Sequence, residues 1–247
     1  YESPGTSKSQ ITVITVVFNG KEFIEKTIRS VINQAYSNIE YIVIDGGSTD
    51  GTVDIIRKYE HAIDYWVSEA DGGIYDAMNK GISLASGDWV NFMNAGDFFY
   101  TPNTIGIIFD SVIAGDKIIY GDVHIRYKDF SRVELAGNPN KLWRGMQFSH
   151  QSIFCDLGYH KKNMFNIKNI ICADLEFYYT AYKNSIELKY IPVIVSSVDV
   201  GGVSESNRLK TLNLSNVAVR SGGASPLVNL YYFYKYIDVM FRSLIKY

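Results

Sequence analysis

Residues 11–34, ITVITVVFNGKEFIEKTIRSVINQ, place a short apolar run directly before a segment with helical periodicity. The run at 11–18 is β-branched and almost continuously apolar, which is typical of a strand buried on both faces of a parallel sheet. Asn19 is a residue type that caps helices. Apolar side chains then recur at three- and four-residue steps, which places them on one face of a helix. These side chains are Ile24, Ile28, Val31 and Ile32. The stretch therefore predicts a buried strand followed by a helix that packs on it.

The same unit repeats as far as residue 93. Further strands are predicted at 40–45, 63–67 and 88–93, with helices between them at 52–59 and 74–85. Strands separated by helices imply right-handed crossovers and a mostly parallel sheet with helices on both faces. The predicted fold class is α/β, with a Rossmann-like, mostly parallel central sheet flanked by helices. Residues 11–100 are predicted to form its nucleotide-binding half.

The pattern is less regular beyond residue 100. It predicts helices at 104–114 and 173–183, a short hairpin at 117–127, a long loop at 137–150 and a strand at 190–198. Long loops in compact domains are often functional. Residues 101–205 are predicted to be the second half of the same domain, followed by a C-terminal helical segment at 206–247 and preceded by a flexible leader or expression remnant at 1–10.

Composition limits the classes of function. The chain has 247 residues, 47% of them apolar, so it can bury a sizeable core. Its 24 basic and 26 acidic side chains leave a net charge of -2, which gives no bulk attraction to nucleic acid. Cys155 and Cys172 lack metal-site companions, and no signal-peptide pattern or membrane-spanning apolar run is present. We therefore expect reduced thiols, a cytoplasmic protein and no nucleic-acid partner.

Polar or aromatic residues follow four successive predicted strands. They are Phe18 with Asn19, Asp45 with GGSTD behind it, SEADGG at 68–73, and NAGD at 94–97. Open α/β sheets bind ligands at the carboxyl ends of their strands. Each group also has a structural interpretation: Phe18 could be core, Asp45 could form only a turn, and Asp97 could cap a later helix. Their joint occurrence in order favours a ligand site.

Several motifs together resemble family 2 of the inverting glycosyltransferases, which have the GT-A fold. They are TVVFNG, YIVIDGGSTDGT, SEADGGIYDAMNKGISLASGDWVNFMNAGD and ICADLEFYY. Within the family they most resemble enzymes of bacterial colanic acid, capsule, exopolysaccharide and O-antigen synthesis. The likeness is strong over 11–100 and weaker over 145–205. It implies a hexosyltransferase that moves a sugar from a nucleoside diphosphate, with UDP favoured, to a hydroxyl of a surface-glycan acceptor.

The resemblance also implies roles for residues at the strand ends. Asp97 matches the last carboxylate of the motif that holds a divalent cation, Mn²⁺ or Mg²⁺, on the donor diphosphate. Phe18 matches the aromatic that stacks on the base, and Asp45 matches the first acid of the family's DDGSTD. The remaining residues implied in nucleotide binding are Asn19, Asp71 and Lys80. Gly46, Asn94 and Gly96 stand where relatives often carry acids.

On the acceptor side, Asp174 matches the second acid of the family's Glu-Asp pair, which implies a general base, while Ala173 replaces the first acid. The alternative is an acid that only stabilises a helix amino terminus. His150 and Gln151 lie in the stretch resembling the acceptor cleft, where a structural role for His150 is equally consistent. DVGGVS at 199–204 is predicted to form a flexible turn over the site.

The last segment, 227–247, is rich in Tyr and Phe and carries Lys235, Arg242 and Lys246. This mixture favours an interfacial helix at the membrane of a lipid-linked acceptor, at the inner face of the plasma membrane. Packing on the core or on a second subunit, as in a homo-oligomer, is the alternative.

Two other classes of protein compete with the transferase. A nucleotide-sugar-binding protein with little or no turnover is suggested by Gly46, Asn94 and Ala173. A dinucleotide oxidoreductase is disfavoured, because the first strand ends in FNGKEF without the glycine-rich turn that a pyrophosphate needs.

Overall fold

The structure is a computed structural model that describes residues 8–202 and 206–245. Of the predicted leader, residues 1–7 lie outside the described residues. Gln10 belongs to the fold, because its amide donates to Asp88 Oδ2 (2.8 Å) and its carbonyl accepts from the amides of Asp88 and Trp89.

Nine strands and eight α-helices are described. The strands are β1 Ile11–Val17, β2 Ile39–Asp45, β3 Tyr65–Ser68, β4 Trp89–Phe92, β5 Phe98–Phe99, β6 Ile118–Arg126, β7 Ser131–Glu134, β8 Ile153–Asp156 and β9 Leu188–Asp199. The helices are α1 Lys21–Ile32, α2 Thr52–Lys58, α3 Ile74–Leu84, α4 Thr104–Phe109, α5 Leu157–Lys162, α6 Ala173–Lys183, α7 Arg208–Ser221 and α8 Val228–Ile245. Short 3-10 helices span Glu60–Ala62, Pro139–Arg144 and His150–Ser152.

All strands belong to one sheet with the order β3-β2-β1-β4-β8-β6-β9-β5, and β7 pairs with β6. The first four strands are parallel, as the repeated strand-helix units predict. The second half is mixed: β8 runs antiparallel to both β4 and β6, whereas β9 is parallel to β6. The carboxyl ends of β1, β2, β3 and β4 therefore meet at one edge, where the sequence places its polar groups.

Period-two alternation along β1 divides the core between the two faces of the sheet. Ile14 and Val16 contribute to a cluster with α3, α6 and α7, and Val13 and Val17 contribute to a cluster with α1, α2 and α4. All seven residues of β1 are buried, which is why its sequence is almost continuously apolar. The predicted α/β fold class is confirmed, with helices on both faces of a mixed central sheet.

Three predictions for the second half are wrong in detail. The helix predicted at 104–114 ends at Phe109, and further along Asp116 Oδ2 accepts from the Ile113 amide in a separate turn. The hairpin predicted within 117–127 is a single strand, β6, whose hairpin partner is β7. The loop at 137–150 contains a 3-10 helix that Asn138 caps through Asn140 N (2.9 Å).

Asn19 does not cap α1. Gly20 occupies the capping position without a side-chain hydrogen bond, and Asn19 has the left-handed φ of 48°. Its side chain turns toward the neighbouring loop, where Oδ1 accepts from Thr49 N (3.0 Å). The loop after β2 therefore uses the polar group that the sequence assigned to the helix.

The C-terminal helices pack beside the second half of the domain. α7 contacts α6, and α8 contacts α7. Within residues 8–202 and 206–245, no helix combines the length and the apolar character needed to cross a bilayer.

Candidate functional site

Two adjoining clefts lie at the carboxyl edge of the parallel strands. The first cleft, about 850 Å³, is lined by the ends of β1 and β2, the loop before α3, and residues 94 and 95. The second cleft, about 730 Å³, is lined by Asp97, Gln151 and parts of β6, β7 and β9. Phe23 and Ala95 line both. The two clefts thus form one surface that joins the two halves of the domain.

Phe18 and Asp71 lie on either side of Gly46 in the first cleft. The ring of Phe18 is 67% exposed, so it is not core. A Cβ atom on Gly46 would lie 2.7 Å from Asp71 Oδ2 and 3.4 Å from Phe18 Cδ2. The Asp71 carboxylate therefore occupies the space that a longer residue at position 46 would need. Its other oxygen, Oδ1, accepts from Gly73 N (2.8 Å), which fixes its direction.

Asp45 is buried beneath the first cleft and does not line it. Its carboxylate accepts from Gly47 N (3.1 Å), Ser48 N (2.9 Å) and the hydroxyls of Ser48 (2.5 Å) and Ser68 (2.6 Å). Three of these bonds go to Oδ2 and one goes to Oδ1, and the side chain is fully buried. Asp45 organises the loop on which a ligand would rest.

Two other predicted nucleotide residues also brace loops. Asn19 lines the first cleft, and its backbone N–H donates to Ser48 Oγ (2.7 Å). Lys80 lies outside the lining of the cleft, where Nζ pairs with Glu69 Oε1 (3.0 Å) and donates to the Ala70 carbonyl (3.3 Å). Lys80 thereby steadies the loop that presents Asp71.

Asp97 lies half-buried in the second cleft. Gln151 Nε2 donates to Asp97 Oδ2 (2.6 Å), and Arg126 Nη2 donates to the carbonyl of Gly96 (2.9 Å). Burial raises the pKa of Asp97 to about 7, and this outweighs the opposing effects of the Gln151 hydrogen bond and the Arg126 charge. Burial makes the ionised form of Asp97 unfavourable when no cation is bound. A cation beside the carboxylate would compensate that negative charge.

The donor groups near Asp97 suit a cation that takes most of its ligands from a substrate. Among the described residues, no three His, Cys, Asp or Glu side chains converge to hold a metal ion. Asp97 Oδ1 is not engaged by Gln151, and Asn94 Oδ1 is buried without a hydrogen-bond partner in the described part of the chain. Mg²⁺ is commonly bound through one or two carboxylates plus substrate phosphates. The residues fit such a shared site and do not form an all-protein cage.

Asp174 begins the first turn of α6 beside the first cleft, without lining it. The Tyr75 hydroxyl donates to Asp174 Oδ1 (2.9 Å) and also lies 2.8 Å from the Ile171 carbonyl oxygen. The backbone amide of Leu175 donates to the same Oδ1 (2.8 Å). Asp174 Oδ2 accepts no hydrogen bond from the described residues, and His150 Nδ1 lies 3.9 Å from it. One oxygen is therefore held in place and the other is left for chemistry.

His150 packs among aromatic rings near Asp174 and lines neither cleft. Its ring stacks on Phe92 with 5.2 Å between centroids. Neither of its nitrogens has a hydrogen-bond partner among the described residues. Burial lowers the pKa of His150 in spite of the Asp174 charge, so the ring is neutral at pH 7. Gln151, by contrast, lines the second cleft and contacts Asp97 directly.

The sequence indicated no site role for Tyr75 or Arg126, and it indicated Asp199 only as the first residue of the turn predicted over 199–204. Arg126 Nε pairs with Asp199 Oδ1 (2.8 Å), and Asp199 lines the second cleft. Of the turn predicted over 199–204, residues 199–202 line this cleft, whereas Val203 and Ser204 lie outside the described residues. Tyr75 stands within the quoted motif at 68–97, so its position was a usable signal. The pairing of Arg126 with Asp199 depends on the parallel register of β6 and β9, which no local pattern gives.

This sheet, with a ligand cleft at the carboxyl ends of β1 to β4 and an acid at the start of a helix in the second half, defines a glycosyltransferase of the GT-A class. Residues 12–177 match the sequence profile of Glycosyl transferase family 2. The chain belongs to this family, which confirms the resemblance drawn from the motifs.

Curated relatives carry the same kind of name. An uncharacterized glycosyltransferase of Mycobacterium tuberculosis is 46% identical over 101 residues, a match that spans 40% of this chain and only 38% of that protein. A PGL/p-HBAD biosynthesis glycosyltransferase of the same species is 29% identical over 205 residues and 79% of each chain. An uncharacterized glycosyltransferase of Haemophilus influenzae is 25% identical over 96% of this chain and 97% of its own length.

Solved structures share the fold at low sequence identity. The mannosyltransferase PcManGT from Pyrobaculum calidifontis, in complex with GDP-Man and Mn²⁺, matches with a TM-score of 0.68 and 17% identity over 94% of this chain and 70% of its own. S. aureus TarS 1-349, in complex with UDP-GlcNAc, matches with a TM-score of 0.65 and 15% identity over 92% of this chain and 71% of its own.

Proposed function

We propose that this chain transfers a sugar from a nucleoside diphosphate sugar to a hydroxyl of a bacterial surface-glycan acceptor, with inversion at the anomeric carbon. The observation that carries the proposal is the continuous surface formed by the two clefts. It runs from Phe18 and Asp71 to Asp97, with Asp174 beside it. Residues 11–100 supply the donor half, and residues 101–205 supply the acceptor side of the same domain.

The base of the donor is proposed to lie between Phe18 and Asp71. The exposed ring offers a stacking surface, and Oδ2 of Asp71, which no described residue engages in a hydrogen bond, can accept one from a ring N–H. This assigns to Asp71 the contact that Asp45 cannot make while its oxygens hold the loop. UDP is favoured, since TarS is solved with UDP and with UDP-GlcNAc. Guanine also has a ring N–H, and PcManGT is solved with GDP-Man, so a test must include both nucleotides.

The diphosphate is proposed to lie near Asn94, Gly96 and Asp97. A divalent cation bound there would neutralise the charge that develops on the departing diphosphate. Asp97 Oδ1 and Asn94 Oδ1 would hold it, and Gln151 orients the carboxylate. Gly96 has a φ of +103°, a conformation that residues with a side chain rarely adopt, and its lack of a side chain would let a phosphate approach the backbone closely.

Asp174 is proposed as the general base. In a single displacement it takes the proton from the acceptor hydroxyl while that oxygen attacks the anomeric carbon, and the bond to the diphosphate oxygen breaks on the opposite face. Asp174 Oδ2 is the oxygen available for this proton, because Oδ1 is held by Tyr75 and Leu175. No covalent enzyme intermediate forms in this scheme.

The acceptor is proposed to enter through the second cleft, where Gln151, Tyr127, Arg132 and Asp199 offer hydrogen-bonding groups. A lipid-linked glycan is favoured, since one relative is named for PGL/p-HBAD biosynthesis. This proposal keeps the enzyme in the cytoplasm, at the inner face of the plasma membrane.

A two-part experiment separates turnover from binding alone. Thermal-shift measurements with UDP- and GDP-sugars, each with and without Mn²⁺, identify the donor, because a ligand of the native state raises the apparent stability. UDP or GDP release is then followed with a membrane extract that contains acceptor. A stabilising donor that is never turned over would instead support a nucleotide-sugar-binding protein.

Phe18→Ala is expected to weaken UDP binding about ten- to a hundredfold, since stacking a base on an aromatic ring contributes about 1 to 3 kcal/mol in single-stranded nucleic-acid complexes. Isothermal titration with UDP measures the effect. Phe130→Ala removes a similarly exposed ring outside both clefts and serves as the matched control. Equal affinities for the parent and the Phe18 variant would exclude a stacking role.

Tyr75→Phe is expected to lower turnover about ten- to a hundredfold, because a hydrogen bond to a charged group contributes about 1.5 to 3 kcal/mol. UDP affinity should remain unchanged, since Tyr75 contacts Asp174 and not the cleft. Steady-state kinetics of Tyr75→Phe in the parent and in Asp174→Asn test the coupling. If Tyr75 acts by positioning Asp174, its removal should have little further effect once the carboxylate is gone. An equal loss in both backgrounds would contradict that role.

A further inference from the structure

A basic pocket of about 660 Å³ lies between the 3-10 helix Pro139–Arg144, α7 and α8. Three cationic side chains line it: Arg144, Arg208 and Lys235. None of the three forms an ion pair within the described residues. Asp238 also lines the pocket, but its Oδ1 is held by Arg242 Nε (2.9 Å). The pocket therefore presents uncompensated positive charge.

Aromatic rings border these cations. The Arg144 guanidinium lies 4.6 Å from the centroid of the Trp143 ring, and Lys235 Nζ lies 6.0 Å from that of Tyr231. Trp and Tyr next to Arg and Lys are the combination that proteins use at membrane interfaces.

An exposed apolar stripe runs along α8 beside the basic pocket. Leu230, Tyr234 and Phe241 are 68%, 66% and 61% exposed, and residues three and four apart share one helix face. The pocket residues Tyr231 and Lys235 each come one position after a member of the stripe. One position corresponds to a rotation of about 100° around the helix, so these two residues lie on the neighbouring face. Leu227 and Phe233, which are 72% and 67% exposed, widen the apolar area. Within the described part of the chain, one helix thus offers a large exposed apolar face flanked by positive charge.

We propose that this face docks on an anionic lipid membrane. The apolar stripe would enter the boundary between headgroups and acyl chains, and lipid phosphates would meet Arg144, Arg208 and Lys235. A lipid surface complements both features at once, since it supplies apolar chains and negative charge side by side. A second copy of the chain would have to supply a matching acidic and apolar surface.

The docking face is connected to the site through packing. The 3-10 helix that carries Arg144 contacts α6, and α6 begins with the residues around Asp174. Docking would therefore hold the acceptor side of the domain close to the bilayer. This inference goes beyond the proposed reaction and does not depend on the donor or on turnover.

Vesicle flotation with the full chain tests the proposal. The parent is expected to bind vesicles of phosphatidylglycerol and phosphatidylcholine in equal parts, and to bind pure phosphatidylcholine vesicles far less. Arg208→Gln with Lys235→Gln should weaken binding to the anionic vesicles about 25-fold, because each basic residue near such a surface contributes about fivefold. Leu230→Ser, Tyr234→Ser and Phe241→Ser together should abolish binding to both.

A matched variant distinguishes binding through this face from nonspecific binding by exposed apolar side chains elsewhere. Ile113→Ser, Phe130→Ser and Leu135→Ser together remove three side chains of comparable exposure outside α8, and vesicle binding should be retained. Melting temperature and UDP affinity should be unchanged in all variants, which shows that they fold. The proposal is overturned if the parent does not bind anionic vesicles. It is equally overturned if the control variant, at residues 113, 130 and 135, loses as much binding as the stripe variant at residues 230, 234 and 241. It is also overturned if light scattering shows a dimer that the stripe substitutions dissociate, since a second copy then covers the stripe.

Discussion

Asp174→Asn is expected to lower turnover by about 10² to 10⁴, the usual contribution of a positioned general base. Asparagine keeps the shape of the side chain and can still accept from Tyr75 and Leu175 through its Oδ1, but it cannot take up a proton from the acceptor. UDP-sugar affinity should change little, because Asp174 does not line the first cleft. The measurement is steady-state UDP release together with donor titration, so that binding and turnover are read separately.

Glu176→Gln is the matched control for Asp174→Asn. Glu176 lies two residues along the same helix, but its carboxylate accepts from Asn166, Asn169 and Ser221 and so ties α6 to its surroundings. Its neutralisation should affect stability more than turnover. Asp156 is equally structural, since it caps α5 through Tyr159 N (2.6 Å) and pairs with Lys117 (2.9 Å).

Two results would argue against Asp174 as the base. Turnover within a few-fold of the parent would leave His150, the nearest other proton acceptor, as the candidate. Loss of donor binding in Asp174→Asn would show instead that the contact between Tyr75 and Asp174 shapes the first cleft.

The parallel half of the fold was predictable because its signals are local. Every strand and helix predicted between Ile11 and residue 93 is present with bounds shifted by at most about two residues, a normal uncertainty for element ends. Buried parallel strands have continuous apolar sequences, and helices between them have an apolar stripe, so periodicity alone separates the two. α6 was also predicted with its observed bounds, Ala173–Lys183.

The mixed half depends on contacts between distant residues. β6 is one strand because β7, β8 and β9 all pair with it, and each partner lies far along the chain or across a turn. A local pattern cannot show which of several candidate strands will pair. The hairpin predicted within 117–127 was wrong for this reason.

In the candidate site, too, some features follow from the local sequence and others depend on contacts between distant residues. The strand-end residues lie together at one edge, as expected, but their individual tasks depend on hydrogen bonds. Asp45 is buried and accepts from backbone and hydroxyl donors, while Asp71 lies against Gly46 with one oxygen that no described residue engages in a hydrogen bond. Motif position identifies the pair of acids, and only the geometry indicates which of them faces a ligand.

Asp97→Ala is expected to abolish the Mn²⁺-dependent part of UDP binding. Asp97 is the carboxylate of the 94–97 segment and lines the second cleft, and hard divalent cations prefer anionic oxygen ligands. Isothermal titration of UDP with and without Mn²⁺ measures the loss. In the variant the two titrations should agree, whereas the parent should bind UDP more tightly with Mn²⁺.

Asp97→Asn separates the charge from the shape of the side chain. Burial already raises the pKa of Asp97 to about 7, so the fold disfavours the ionised carboxylate when no cation is bound. A neutral amide of the same size should therefore leave the protein at least as stable in the absence of ligand, as a melting curve at pH 8 would show. Lost Mn²⁺ dependence in a protein of undiminished stability would then reflect the missing ligand and not unfolding.

Asp199→Asn tests whether the assignment belongs to Asp97 alone. Asp199 faces the same cleft, but its Oδ1 is already paired with Arg126 Nε at 2.8 Å, whereas Asp97 forms no ion pair within the described residues. The Asp199 variant is expected to retain Mn²⁺-dependent binding of UDP. If Asp199→Asn removed the Mn²⁺ effect and Asp97→Ala did not, the cation would have to lie on the β9 side of the second cleft. The diphosphate links the cation to the nucleobase of the donor. With the cation on the β9 side, the nucleobase would have to lie further from Phe18 than proposed, and Phe18→Ala should then have little effect on UDP affinity.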